Sequence, residues 1–191
     1  SIHYGVTDCE WRSLHNETAH NCSLPGGPHD RDFALWTATA RSVAMEAARS
    51  GLDGSDALHT ASFDVWNEPN AQAKVQCSTS LKCVYDANLT AAAFYALYDR
   101  AHAAIRSALP SARILAPSIA DGGPGIHGWS SVFPWLRAFL LHARAADTLP
   151  DVLTWHVSMI GANGSLLVDH HAELHAWAAS LTPPLVMPPI G

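Results

Sequence analysis

The feature that most limits how this chain can fold is a regular alternation of strand-like and helix-like segments. Residues 2–7 form a short β-type run, and a long loop follows, broken by Pro25-Gly26-Gly27-Pro28. Phe33, Trp36, Ala40, Val43, Ala44 and Ala47 then recur at helical spacing, with Asp30 or Asp32 able to cap the start and Gly51 to end the run. Residues 63–66 read as a strand, and a second long loop covers about 71–88. Phe94, Leu97, Tyr98, Ala101, Ile105 and Leu109 mark one helix face, which Pro110 stops. A strand at 113–116 follows. Trp129, Val132, Phe133, Leu136, Phe139, Leu140 and Ala143 mark another helix, and residues 152–156 another strand. Leu167, His171, Leu174, Ala178 and Leu181 mark a last helix before a strand beginning at 185–187.

Such alternation predicts a parallel sheet with crossover helices. The strands are short and nearly continuously apolar, as strands covered on both faces are. A doubly wound open sheet and a (β/α)8 barrel both fit. No G-x-G-x-x-G follows any strand, so the dinucleotide-binding version loses support and no cofactor is expected. The long loops that carry cysteines and glycosylation sequons all follow strands, and the helix-to-strand connections carry neither. That asymmetry favours a barrel, whose chemistry gathers at the C-terminal ends of its strands. A complete barrel takes about 250 residues. The 191 residues supply five strand candidates, which cannot close, so the expectation is a single-domain fragment, 1–191, of a larger barrel. The opening on Ser1, without a signal sequence, suits a processed or partial protein.

At 48% hydrophobic and 15% charged residues, the chain can build one sizeable core. Its net charge of −6 and its eleven scattered Lys and Arg argue against a nucleic-acid partner. Its apolar runs fall well short of the roughly 18 residues a membrane helix needs. Four cysteines form two close pairs in sequence, Cys9 with Cys22 and Cys77 with Cys83. Three connectivities are open, and local pairing is favoured because each pair brackets a polar loop. Zinc is the competing use, but no C-x-x-C spacing occurs. Sequons at Asn16, Asn21, Asn88 and Asn163 lie in predicted loops. Together with the cysteines they point to a secreted or lysosomal protein.

Within FDVWNEPN, Glu68 stands where a strand ends, followed by Pro69. Proline lacks an N–H and steers its predecessor out of the helical region, which sets Glu68 in an extended or turn conformation. Asn67 places a donor and an acceptor beside the acid. Phe63 and Trp66 supply apolar surroundings of the kind a general acid needs. The competing reading is a plain turn, since Asn-Glu-Pro-Asn is good turn chemistry.

FDVWNEPN resembles the acid/base strand of clan A glycoside hydrolases, in which an Asn-Glu pair ends the fourth barrel strand. The wider chain is similar to glycoside hydrolase family 39, the β-xylosidase and α-L-iduronidase family. YALYDRAHAAIRSALP, ARILAPS and PDVLTWH follow in the family's order, so the likeness covers about two-thirds of the chain, from about residue 31 to 156. The resemblance implies an incomplete (β/α)8 barrel holding about strands 3 to 7, and retaining hydrolysis of an O-glycosidic bond in a carbohydrate substrate. Glu68 matches the general acid/base, Asn67 the amide that binds the sugar 2-hydroxyl, and His156 a histidine lining the sugar pocket. Two departures stand out. The family's Gly-Gly-Pro is replaced by Leu115-Ala116-Pro117-Ser118. The last strand, LVMPPIG, holds no Asp or Glu to serve as the nucleophile that retaining chemistry needs about 5–5.5 Å from the acid. The nucleophile is therefore expected beyond Gly191; a carbohydrate-binding pseudoenzyme that has lost it is the alternative.

Other constellations point less far. His171 and His175 have helical i, i+4 spacing, but the run H-A-E-L-H is not H-E-x-x-H, so no metal site is expected. His171 shares the apolar stripe and is expected to pack inward, with its neighbours exposed. Of seven tryptophans, Trp36, Trp129 and Trp177 read as core, while Trp66 and Trp155, near strand ends, suit core packing or sugar stacking. Asp121-Gly122-Gly123-Pro124-Gly125 lacks the Lys and Ser/Thr of a phosphate loop and reads as an active-site rim. No G-x-S-x-G supports serine catalysis.

Overall fold

A computed structural model describes residues 33–54, 60–66, 68–70, 91–120, 129–156 and 164–190. The strand expected at 2–7, the four cysteines, the four sequon asparagines, Asn67 and the 121–125 loop lie outside the described residues. The described elements are α1 (Ala34–Arg49), β1 (Ser62–Asp64), α2 (Ala91–Ala108), β2 (Arg113–Ala120), α3 (Trp129–Ala146), β3 (Val152–His156) and α4 (Gly164–Ser180). They form a mixed α/β unit with a three-stranded parallel sheet in the order β1-β2-β3. None of the described helices is long and apolar enough to cross a membrane.

The helices pack side by side in chain order. α2 lies against α1 and α3, and the Trp36 indole donates to the Leu97 carbonyl at 3.2 Å. Phe94 of α2 meets Trp135 and Phe139 of α3 at ring separations of 5.4 and 5.8 Å. Trp129 of α3 stacks on His170 of α4 at 4.1 Å, and its indole donates to Glu173 at 2.7 Å. Right-handed crossovers between strands that advance in one direction put successive helices on one face of the sheet, which accounts for this single layer. The central strand is buried continuously from Ala116 to Ala120, as expected of a strand covered on both faces, whereas β1 and β3 are only partly buried. Phe63, Ile114 and Leu153 are buried, while Asp64, Leu115 and Thr154 are only partly so.

Phe33 is the N-cap of α1 and makes no side-chain cap hydrogen bond; Asp30 and Asp32 lie outside the described residues. At its end Gly51, at φ 76°, turns the chain left-handed. The Gly51 N–H then bonds to Ala48 and the Leu52 N–H to Ala47, which satisfies two orphan carbonyls. The expected face of α2 is buried throughout, from Phe94 to Leu109. In α4 the stripe is offset from the expectation: Leu174 and Ala178 are buried, but His171 is exposed, and it is His170 that packs inward on Trp129. The strand expected at 185–187 forms no ladder. Contact with the sheet comes later, where Leu153 bridges Ile190 and donates its N–H to the Pro189 carbonyl. Prolines at 183, 184, 188 and 189 remove the donors a regular strand would need.

Polar side chains secure the edge where the strands begin. Arg106 donates to the carbonyls of Pro110 and Ala112 and pairs with Asp151, which also accepts from the Ile114 N–H. Thr148 donates to Asp99, which faces His142 at 2.8 Å, and its carbonyl accepts from Tyr98. Burial pushes the Tyr98 hydroxyl pKa up, so it stays a donor. Burial and the Arg106 guanidinium hold the His102 imidazole below its ordinary range. A histidine depressed in the folded state stays neutral there while the unfolded chain takes up its proton, so stability falls as pH drops below about 6.5. Two outcomes are expected in thermal or denaturant unfolding. Phe94→Ala lowers stability by about 3–5 kcal/mol. His102→Asn reduces the loss of stability between pH 7 and pH 5 relative to the parent chain.

Candidate active site

The strands run parallel, so their C-terminal ends share one edge of the sheet. Glu68 lies four residues past the end of β1, and His156 is the last residue of β3. Although β2 lies between these strands, the Glu68 Oε1 and His156 Nδ1 atoms are 2.8 Å apart. Their side chains are 30% and 45% exposed, accessible to a ligand yet partly shielded. Sequence reasoning named both residues separately; the structure brings them together. Asn67, named as their neighbour, lies outside the described residues.

Of the extended and turn conformations expected at Glu68, the backbone takes a turn, left-handed at φ 50°. Its hydrogen bonds explain this. The Glu68 N–H donates to the Ser118 carbonyl at 2.9 Å. Two residues on, the Asn70 side chain donates to the Ala120 carbonyl at 2.7 Å and accepts from the Ala120 N–H at 2.8 Å. The 68–70 segment thus runs beside 118–120 after regular pairing stops. Pro69 has no N–H to offer, and the Asn70 amide supplies both a donor and an acceptor in place of ladder bonds. A left-handed non-glycine residue costs roughly 1–2 kcal/mol, which these bonds offset.

Below this edge, Ser118 also has positive φ, 48°, and occupies a bulge where the pairing of β2 with β3 jumps a residue. Its hydroxyl donates to Asp64 of β1 at 2.6 Å and lies 2.8 Å from the Thr154 hydroxyl of β3. The sequence assigned no site role to Asn70, Asp64, Ser118 or Thr154. The available signal was the repeated polar residue near the end of each strand, together with the second asparagine of NEPN.

The apolar surroundings expected at Glu68 are only partly present. Phe63 points to the helices, where with Trp36, Val43 and Ile105 it lines a pocket of about 40 Å³, room for a water or two rather than a sugar. Trp66 meets Trp36 edge-on at 5.7 Å and Trp155 lies 6.1 Å from Trp129, so both pack against the helix layer. The His171 and His175 rings approach to 4.3 Å, while the Glu173 carboxylate is engaged by Trp129. Among the described residues, no cluster of three or more His, Cys, Asp or Glu is arranged to hold a metal.

No protein-family model matches the chain, and no match to it is found among curated proteins. The site therefore stands on its own geometry. A partly exposed carboxylate facing an imidazole can give and take a proton, and the imidazole can orient the acid or bind a hydroxyl. Asn70→Ala is expected to leave two backbone groups of Ala120 unpaired. It should cost about 1–3 kcal/mol and speed amide hydrogen exchange at Ala120 more than at Ile114.

Proposed function

We propose that the chain is part of a retaining glycoside hydrolase that cleaves O-glycosidic bonds of the xyloside or iduronide type, with Glu68 as general acid/base. The observation that carries this reading is the 2.8 Å contact between Glu68 and His156 at the shared C-terminal edge of parallel strands. Strands that neighbour one another in chain order, with the helices in one layer, suit an arc of a (β/α)8 barrel with its polar face inward. Asp64 and Thr154 would lie on that inner face.

In the first step, Glu68 gives its proton to the leaving glycosidic oxygen as a second carboxylate attacks the anomeric carbon. In the second, Glu68 takes a proton from the water that breaks the resulting ester. His156 holds the Glu68 carboxyl through Nδ1 and presents Nε2 to a sugar hydroxyl.

The register of the last segment supports a place for the second carboxylate. His156 lies three residues past Leu153, and Leu153 pairs with Ile190. The level opposite His156 on the next strand therefore falls three residues past Ile190, outside the 191. An Asp or Glu at about that point in the parent reading frame supports the enzyme, and its absence supports a carbohydrate-binding pseudoenzyme. In the parent protein, Glu68→Gln is expected to lower kcat by about 10²–10⁴-fold on glycosides with poor leaving groups. The 191 residues alone are expected to turn over no aryl glycoside. Turnover by them that Glu68→Gln abolishes would contradict the placement of the nucleophile beyond Gly191.

A further inference from the structure

We propose that Ser118 is a positioning residue, whose hydroxyl and carbonyl together set the Glu68–His156 pair; the proposal rests on the reading of Glu68 as the acid/base. Ser118 is 1% exposed, and it bonds to both strands that carry the pair. Its carbonyl accepts the Glu68 N–H. Its single hydroxyl proton goes to Asp64, four residues before Glu68 on the same strand path. With that proton committed, the 2.8 Å contact to Thr154 must be a donation from Thr154 to Ser118. Thr154 lies two residues before His156, so their side chains share one face of β3. The result is a directed strap, Thr154 to Ser118 to Asp64, crossing all three strands just beneath the catalytic edge.

The backbone geometry marks the same residue. A bulge re-aims the chain beside it, and Ser118 is held left-handed, which a serine adopts only when its surroundings require it. Were the residue a mere spacer, glycine would meet the φ of 48° without strain. The hydroxyl is what glycine would lack, and it is the group that joins β1 to β3.

The test is the ¹⁵N nuclear magnetic resonance of the His156 ring in the 191-residue protein at one pH where the ring is neutral. Without substitution, the contact to Glu68 is expected to hold His156 as the Nδ1–H tautomer. Glu68→Ala should move both ring resonances toward a mixed-tautomer position. Ser118→Gly, which keeps the backbone angle and removes the hydroxyl, should move them the same way. Thr154→Val should do likewise, while Thr154→Ser, which restores the hydroxyl, should keep the parent positions. If Glu68→Ala moves the resonances but Ser118→Gly and Thr154→Val do not, the strap does not position the pair; the positioning role is overturned and the hydrolase reading survives. If Glu68→Ala moves nothing, the pair itself is absent and both fall.

Discussion

The strand β2 is bonded on both sides, and its eight residues outlast the three of β1 and the five of β3. That surplus length gives segment 68–70 something to run beside once β1 has ended. Without it, Glu68 would have no carbonyl to receive its N–H and Asn70 no backbone to clamp. The acid would then sit on a free loop, and its contact with His156 would depend on chance encounter. The bulge at Ser118 is part of the same device, because it lets β2 change register with β3 while remaining parallel to both neighbours.

The two ends of the sheet are built for different purposes. Where the strands begin, Arg106, Asp151, Thr148 and Asp99 satisfy backbone groups and one another, and the one left-handed non-glycine residue nearby, Asp147, lies outside the strands. Where they end, two non-glycine residues are left-handed, the ladder is irregular, and a side-chain amide replaces backbone pairing. Local irregularity of this kind is held in place only by bonds that over-determine it. The proposed function would place stability at one edge and chemistry at the other, with the packed helix layer supporting both.

Much of the helix layer was legible in the sequence because side-chain periodicity is a local signal. The face of α2 from Phe94 to Leu109 is buried as its spacing predicts. β3 was found at its full extent for a similar reason, as a short apolar run between loop residues. The one-residue offset in α4, from His171 to His170, arises because Trp129 of another helix selects its stacking partner, and no local pattern encodes that choice. The strand predicted at 185–187 failed because apolar content outweighed the missing proline donors. Glu68 was conspicuous through its flanking residues, and His156 only through the family resemblance. Their pairing was not readable, since it is set by a register across three strands and by a bulge at Ser118. The Asn70 clamp was hidden too: its partner lies fifty residues away in the sequence.

Everything proposed for this edge requires that Glu68 and His156 face each other across the end of β2. The most direct measurement is an isotope-edited nuclear Overhauser spectrum of the protein in solution. Cross-peaks between the Glu68 γ protons and the His156 ring proton beside Nδ1 are the predicted result. A spectrum in which both groups are assigned, Glu68 contacts only solvent or residues of the helix layer, and no such cross-peak appears would contradict it.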